Sequence, residues 1–340
     1  CPECGSADFV KENNILDVWF ESGASHNVLD RRKDLNWPAD IYIEGHDQYR
    51  GWFNSSLLVG VAVKGSSPYK TCITHGFVLD EKGRGMSKSL GNFIEPGEII
   101  KTNGAEILRL WVAMLNFKED ARFGDEILQR LVEAYRKIRN TWRFIIGNLH
   151  DFNPDQDQVP PDAMKPFDAW IMEKCARLNR KIIQAYKNFE YHVVFHSMYN
   201  FFTVTLSSYY LDVLKDRLYC SAPDSDLRRS AQTALFQLLR TTLILMSPVL
   251  PFTTEEAWET LPEHKNKTES VHLEKFVEFD HEWMKENEFK KWEHLAEIRE
   301  IVLKSLEEAR EAKIIGNSLE AKVKMNASGA DYSLLDEYKD

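Results

Sequence analysis

The hydrophobic period of this sequence changes once, near residue 127, and that change decides what each part of the chain folds into. Before it, short β-rich runs at 41–43 and 69–74 flank a helical pattern that includes Trp52. A strand, a helix and a second strand are typical of a parallel sheet. After residue 127, apolar residues recur at intervals of three and four, which predicts amphipathic helices. The fold class is therefore α/β plus all-α.

The all-α part predicts an antiparallel bundle of helices. Helical patterns cover residues 127–149, 170–186, 191–214, 227–246 and 289–313. Thr253 or Thr254, followed by Glu255 and Glu256, is typical of an N-cap with an acidic first turn. Two strands are too few to close a parallel sheet, so we expect part of the sheet to lie outside this chain.

Composition is that of a globular chain, with 43% hydrophobic and 28% charged residues. No apolar run is long enough for a membrane-spanning helix, and no signal peptide is visible. Five cysteines indicate a reducing compartment, so we expect a cytoplasmic protein; Cys72, Cys175 and Cys220 lie in apolar patterns typical of a core. The sequence begins inside Cys1-x-x-Cys4 without a Met, which indicates a fragment.

Charge is unevenly distributed along the chain. The net charge is −10, but residues 127–240 carry +4 while 1–126 carry −5 and 241–340 carry −9. A partner that touches one face responds to local charge, so the acidic total does not exclude RNA. Arg136, Arg139 and Arg143 are candidate phosphate contacts on the first helix; the alternative is a solvated face that pairs with its own acidic residues.

A Gly-bearing loop at residues 83–92, GRGMSKSLGN, is the strongest candidate for a functional site. It exposes Lys88 between two serines, which suits a polyphosphate. The alternative for such a short pattern is a solvated surface turn. The Gly83-x-Gly85 pair alone lacks the full phosphate-binding glycine spacing.

A second candidate stretch, IYIEGHDQYRGWF, spans residues 41–53. It places Glu44, Gly45, Asp47 and Gln48 where a strand ends and a helix begins. Ligands of open α/β sheets bind outside the carboxyl ends of the strands, and carboxylates there suit an α-ammonium or ribose hydroxyls. The alternative is an acidic helix start that interacts with the helix dipole. Trp19 and Trp52 could line an apolar slot or belong to the core.

In this order, these stretches resemble class I aminoacyl-tRNA synthetases, and specifically isoleucyl-tRNA synthetases. The motifs are DVWFESG (17–23), EGHDQYRGWF (44–53), THGFVLD (74–80) and GMSKSLGN (85–92), followed by EAYRKIRNTWRFIIGNL (133–149), LSSYYLDVLKDRLY (206–219) and SPVLPFTTEEAW (247–258). The resemblance covers essentially all 340 residues. It implies the second half of a Rossmann-like catalytic domain and an anticodon-binding helical bundle.

The resemblance also implies roles for residues. Lys88 would be the catalytic charge that stabilises the leaving pyrophosphate. The ATP-binding loop would be Gly85, Met86, Ser87, Lys88 and Ser89. The isoleucyl-adenylate would be held by Glu44, Gly45, Asp47 and Gln48, with Trp19 and Trp52 beside the isoleucine side chain and His75 near the adenosine. The substrates would be isoleucine, tRNA(Ile) and ATP with Mg²⁺.

Three departures from the family pattern bear on activity. The first lysine of the signature loop is Gly85 here, and Arg84 or Lys82 is the candidate to replace its charge. No His-x-Gly-His box occurs, and the editing domain that would hydrolyse misactivated valine is absent. Cys1 and Cys4 supply two of the four ligands of a zinc site.

Four segments are predicted as domains. They are 1–25, a remnant of an inserted zinc-knuckle region; 26–126, the C-terminal half of the catalytic domain; 127–265, the anticodon-binding domain; and 266–340, a truncated helical junction. We expect a monomer with no membrane partner that is inactive alone. Two alternatives stay open: a valyl- or leucyl-type sister enzyme, and a non-catalytic tRNA-binding module.

Overall fold

The computed structural model describes residues 1–279 and 281–338. The chain divides into two compact units that interleave along the sequence. The α/β unit comprises Cys1–Glu98 and Leu115–Leu128, and the helical unit comprises Ile99–Met114 and the chain from Gln129 onward. The helical unit thus includes a segment that the predicted domain 26–126 assigns to the catalytic half.

The elements follow one another in this order. The first part holds α1 (Val18–Gly23), α2 (Val28–Arg31), β1 (Ala39–Gly45), α3 (Trp52–Lys64), β2 (Tyr69–His75), β3 (Val78–Leu79), α4 (Pro96–Asn103), α5 (Ala105–Met114) and β4 (Ala121–Arg122). The second holds α6 (Asp125–Gly147), α7 (Pro166–Lys187), α8 (Tyr191–Asn200), a π-helix (Phe201–Tyr210), α9 (Leu211–Cys220), α10 (Asp226–Met246), α11 (Pro251–Glu259), α12 (Glu286–Glu311) and α13 (Gly329–Glu337).

The predicted strand–helix–strand unit is confirmed. Strands β1 and β2 pair in parallel, with Glu44 opposite Thr74 and Gly45 opposite His75. Helix α3 connects them and ends at Gly65, which adopts a φ of 76° that favours glycine. Ile41 and Ile43 on β1 remain 45% and 58% exposed. The described sheet therefore leaves apolar strand residues uncovered.

A second parallel pair joins β3 to β4, and no pattern in the sequence predicts it. Each strand has two residues, and Val78 lies opposite Ala121. The side chain of Asp120 accepts a hydrogen bond from the Phe77 N–H at 2.7 Å and supports the pairing. Two-residue strands carry no period-2 signal, so sequence alone does not reveal them.

The core of the helical unit centres on α10, which is buried along most of its length from Ser230 to Met246. The apolar stripe of α6 packs inward through Leu131, Ile138 and Ile145. Trp142 on the same stripe donates its indole N–H to Thr242 at 3.0 Å. The five predicted helices are present; their antiparallel bundle arrangement stays a prediction. Among the described helices, none combines the length and apolar character needed to cross a membrane.

The long aromatic helix predicted at 191–214 extends to Cys220 and contains the π-helix. The wider turns place Tyr210 so that its hydroxyl donates to the buried Asp168 at 2.8 Å. Ser230 donates to the same carboxylate at 2.6 Å. Burial raises the pKa of Asp168, and these two hydroxyls oppose that shift. Apolar periodicity does not separate π from α turns.

Two local predictions are wrong. Helix α11 begins at Pro251, so Thr253 and Thr254 lie buried within its first turn and neither is the N-cap. The N-terminal amides are bound instead by Glu106 of α5, which accepts from Phe252 N–H at 2.8 Å and Thr253 N–H at 3.0 Å. Of the three cysteines predicted as core, only Cys175 is buried, while Cys72 and Cys220 are exposed.

Candidate functional site

The ends of β1 and β2 and the start of α3 bring together most of the residues predicted to hold an adenylate. A Cβ at Gly45 would lie 2.6 Å from Asp47 Oδ1 and 3.6 Å from His75 Cε1, so a side chain at this position would collide with Asp47. Glu44 is exposed at the end of its strand. Tyr49, a residue not among the predicted ones, forms a hydrogen bond between its hydroxyl and that of Thr74 at 2.9 Å.

Gln48 has a structural role that the sequence did not predict. Its Oε1 accepts from the Trp52 N–H at 3.0 Å at the start of α3, and its Nε2 donates to Asp47 at 3.2 Å. The absence of a side chain at Gly51 makes room for this arrangement, because a Cβ there would lie 2.7 Å from Gln48 Oε1 and 2.9 Å from the Trp19 ring. Gln48 therefore links the strand end to the helix start.

The two predicted tryptophans lie close to this cluster. Trp52 stacks on Tyr42 with ring centroids 4.2 Å apart, and its indole N–H donates to the Ser22 carbonyl at 3.0 Å. Trp19 lies beside Gly51 and is 48% exposed. One ring is thus fixed and the other is available to a ligand.

A single carboxylate organises the loop at 83–92. Asp80 accepts from the Lys82 N–H at 3.0 Å, the Arg84 N–H at 2.8 Å and the Arg84 Nε at 2.9 Å. Asn92 donates to the same carboxylate at 3.0 Å. The hydrogen bond from Asn92 and the Arg84 amide hold the pKa of Asp80 well below its usual range. A carboxylate two residues before a turn amide is an Asx-turn signal, which could have identified Asp80 from sequence.

The far side of the loop is also fixed. Asn92 accepts from the Ser87 N–H at 2.9 Å and donates to the Gly85 carbonyl at 3.2 Å. Ser87 accepts from the Leu90 N–H at 3.2 Å, and its hydroxyl lies 3.1 Å from that of Ser89. Met86 between these anchors is half-buried. The loop is therefore held by hydrogen bonds on both sides and contains a 3-10 turn at Lys88–Leu90.

Lys88 is exposed at the tip of this loop. Its ammonium lies 5.6 Å from the centre of the Phe93 ring, and no described residue forms an ion pair with it. Arg84 is committed to Asp80 at 2.7 Å, so it is a poor replacement for the charge missing at Gly85. A Cβ at Gly85 would meet nothing within 4 Å. The loop thus presents one free ammonium and two hydroxyls.

The predicted phosphate contacts share one exposed ridge of α6. Arg136, Arg139, Asn140 and Arg143 are all exposed there. Arg139 pairs with Glu256 of α11 at 2.8 Å and 3.0 Å, whereas no described residue pairs with Arg136 or Arg143. Acidic partners also come from α12 for basic residues of α7: Glu293 binds Lys174 and Glu286 binds Arg177. The basic residues of α6 and α7 are therefore partly neutralised by acidic residues of other elements.

The predicted zinc ligands do not complete a site. Cys1 and Cys4 are free and exposed, and no group of three or more candidate ligands occurs within residues 1–279 and 281–338. A tetrahedral zinc site needs four ligands. The described residues therefore do not fit a zinc ion.

Comparison with known proteins accounts for both units. Residues 3–124 match the family described as tRNA synthetases class I (I, L, M and V), and residues 168–325 match the anticodon-binding domain of tRNA ligase. The chain is 51% identical over 342 aligned residues to the isoleucine–tRNA ligase of Syntrophotalea carbinolica. The chain therefore carries a class I tRNA-synthetase domain and an anticodon-binding domain.

A second relative also matches nearly the whole of this chain. The isoleucine–tRNA ligase of Carboxydothermus hydrogenoformans is 49% identical over 99% of the chain. The chain spans 37% of the length of both relatives.

Solved class I synthetase structures support the fold. An Agrobacterium radiobacter K84 LeuRS, solved as a ternary LeuRS-tRNA-LeuAMS complex, aligns with a TM-score of 0.64 over 84% of this chain and 35% of its own, at 17% identity. A Mycobacterium tuberculosis methionyl-tRNA synthetase bound by methionyl-adenylate gives 0.54 over 66% of this chain and 44% of its own, at 19% identity.

Proposed function

We propose that this chain forms the second half of the catalytic domain and the anticodon-binding domain of an isoleucine–tRNA ligase. The complete reaction converts ATP, L-isoleucine and tRNA(Ile) to AMP, diphosphate and isoleucyl-tRNA(Ile) through isoleucyl-adenylate. The observation that carries the proposal is the identity of 51% across the whole chain to an isoleucine–tRNA ligase. The same identity favours the isoleucine enzyme over the valyl- and leucyl-type alternatives.

In this proposal the signature loop meets Mg²⁺–ATP. Lys88 stabilises the charge that develops on pyrophosphate as the isoleucine carboxylate attacks the α-phosphorus. The Ser87 and Ser89 hydroxyls add polar contacts to the same phosphates. The hydrogen-bonded geometry of the loop supports this role, because a preorganised charge stabilises a transition state without reorganisation.

The cluster at the strand ends receives the adenylate. Glu44 and Asp47 supply negative charge for the α-ammonium or the ribose hydroxyls, and Gly45 and His75 line the approach. Trp19 and Trp52 flank the isoleucine side chain. Gln48 positions Asp47 and the start of α3, so its replacement would disturb the site indirectly.

The ridge of α6 meets the phosphates of tRNA. Each neutralised phosphate releases counterions, so binding to an isoleucine tRNA transcript should fall steeply with salt. Changing Arg136, Arg139 and Arg143 to Ala should weaken binding and make the salt dependence shallower. Lys187, Lys285 and Lys304 provide a control triple that removes equal charge from exposed positions elsewhere. Equal effects of the two triples would contradict the proposed surface.

A non-catalytic tRNA-binding module is the second candidate. The exposure of Ile41 and Ile43 favours it for the isolated chain, because an uncovered strand leaves the nucleotide site without one wall. Isoleucine-dependent ATP–pyrophosphate exchange by a complete enzyme that contains this chain separates the two candidates, because the chain alone is expected to show none under either of them.

A further inference from the structure

Helix α13 has little apolar surface to hold it against α12. Of its nine residues, all of which the structure describes, only Leu334 is buried. Tyr338, which follows the helix, contacts the Trp292 ring of α12 with the two ring centroids 5.0 Å apart. A short helix with one buried leucine gains little from the hydrophobic effect. Polar contacts between the two helices therefore decide how firmly α13 is held.

Two of these polar contacts lie near the start of α12. Lys291 donates to both carboxylate oxygens of Glu337 on α13, at 2.8 Å and 3.0 Å. The Tyr338 hydroxyl donates to Glu288. These contacts pair a donor with an ionised carboxylate, which gives hydrogen bonds that are stronger than those between neutral groups. They hold the end of α13 rather than its start.

The start of α13 is held by His294, which lies between two carboxylates from different helices. Its Nε2 is 2.8 Å from Asp331 Oδ1 on α13, and its Nδ1 is 3.1 Å from Glu297 Oε2 one turn later on α12. An ionised carboxylate only accepts hydrogen bonds, and a neutral imidazole has only one donor. Both contacts are therefore hydrogen bonds only when the ring carries two protons. The hydrogen bond to Asp331, and then that to Glu297, raises the pKa of His294.

The other titratable groups at this contact do not change their charge near neutral pH. An ordinary carboxylate ionises at about pH 4 and an ordinary lysine at about pH 10. The hydrogen bond to Glu337 raises the pKa of Lys291 further, and burial raises the pKa of Tyr338, so both stay protonated. Between about pH 6 and 9, His294 is therefore the group that titrates here. The charged groups that border it are Glu288, Lys290, Lys291 and Glu297 on α12 and Asp331 and Glu337 on α13.

We propose that the proton on His294 controls how firmly α13 is held on α12. A neutral ring keeps at most one of the two hydrogen bonds and loses the charge that strengthens it. Because the pKa is raised in the folded state, the stabilisation is complete below the ordinary value of 6.5 and is lost as pH rises through the folded value. Helix α13 is thus held most firmly in mildly acidic solution and opens more often as pH rises. This control is independent of the proposed function, because it involves no nucleotide and no RNA.

The first test follows the ring Cε1 proton of His294 by NMR in the full chain. The signal that disappears in His294→Gln identifies this ring. Its titration midpoint should lie above 6.5, and Asp331→Asn should lower the midpoint because it removes the negative charge on α13. A midpoint at or below 6.5, or an unchanged midpoint in Asp331→Asn, would overturn the proposal.

The second test measures hydrogen exchange of the α13 amides, corrected for the intrinsic rate. Protection should fall by about twofold to fivefold between about pH 6 and 9, the range that an exposed charged pair supplies. His294→Gln should remove this pH dependence, because a glutamine amide donates a hydrogen bond but does not titrate. Protection that does not vary with pH in the original chain would overturn the proposal.

Lys291→Gln is the matched control for hydrogen exchange. It removes the neighbouring ion pair with Glu337, so it should lower the protection of α13 at every pH and leave the pH dependence unchanged. Thermal unfolding checks that each variant folds. Equal pH dependence in His294→Gln and in the original chain would assign the effect to another group and overturn the role of His294.

Discussion

At the scale of single residues, the loop at 83–92 depends on Asp80, a carboxylate outside the signature itself. It receives hydrogen bonds from both ends of the loop. Asp80→Asn should remove the ion pair with Arg84 and loosen the hairpin. Hydrogen exchange at the Lys82 and Arg84 amides should accelerate. Glu81→Gln, a change at the neighbouring exposed acid, serves as the control. Equal protection in both variants would show that Asn92 alone holds the loop.

The same carboxylate gives the loop a defined pH dependence. The pKa of Asp80 is lowered from its ordinary value of 3.8, first by the hydrogen bond from Asn92 and then by the Arg84 amide. A depressed folded-state pKa stabilises the fold fully above the unfolded value, and the stabilisation disappears as pH falls through the folded value. Amide protection of Arg84, corrected for intrinsic exchange, should therefore stay constant from neutral pH to about 4 and decline below it. A decline between pH 7 and 5 would point to another group.

Gly85 offers a gain-of-charge experiment. Its surroundings are open, and its backbone does not adopt a positive φ. Gly85→Lys should leave thermal stability unchanged and, in a complete enzyme, accelerate isoleucyl-adenylate formation by adding a second charge near the phosphates. Gly83→Lys is the matched control, because Gly83 has a φ of 76° and a side chain there is strained. A slower or unchanged single-turnover rate for Gly85→Lys would argue against a phosphate contact at this position.

At the scale of elements, side chains of α5 hold the turn between α10 and α11 through hydrogen bonds. Glu106 accepts from two amides at the start of α11 and from the Thr253 hydroxyl. One turn later, Arg109 donates to the Pro248 carbonyl at 2.6 Å and the Val249 carbonyl at 3.0 Å. The Glu106 carboxylate thus binds the positive start of α11, and the Arg109 guanidinium binds the carbonyls that follow α10.

Because of these hydrogen bonds, we expect one substitution in α5 to lower the free energy of unfolding substantially. Glu106→Ala would leave the Phe252 and Thr253 amides without their acceptor, at a cost of about 1–3 kcal/mol for each group that stays buried. Urea unfolding of the chain should show the loss. Glu259→Ala, at an exposed glutamate on α11, should change the free energy of unfolding by no more than about 0.5 kcal/mol. Comparable losses for the two variants would mean that water replaces Glu106.

Elements with a strong local signal were predictable, and those that depend on distant residues were not. The β1–α3–β2 unit follows from short apolar runs and Gly-bearing turns. The start of α11 was misplaced because its cap comes from a residue 147 positions earlier in the chain. The pairing of Arg139 was missed for the same reason, since Glu256 lies 117 positions away. The grouping of Glu44, Gly45, Asp47 and Gln48 was predictable because a strand end and a helix start are adjacent in sequence. That this group holds an adenylate stays a prediction.

At the scale of the whole molecule, the chain should bind tRNA without activating isoleucine. Its sequence has no His-x-Gly-His box, and the described strands β1 and β2 form a two-stranded sheet with exposed apolar residues. Precise positioning of two reactants supplies much of the lowering of a reaction barrier. Isoleucine-dependent ATP–pyrophosphate exchange by the purified chain should therefore equal the background without enzyme. Clear exchange would show that one half of the site suffices.

The interleaving of the two units limits how the protein can be dissected. The polypeptide passes from the α/β unit to the helical unit after Glu98, returns after Met114 and leaves again after Leu128. Cleavage at any one junction leaves at least one product with material from both units. A protease that cuts the chain near residue 114 or 128 should therefore separate α5 covalently from the rest of the helical unit. Truncation before residue 99 keeps α5 in the helical unit, but only together with residues 115–128 of the α/β unit.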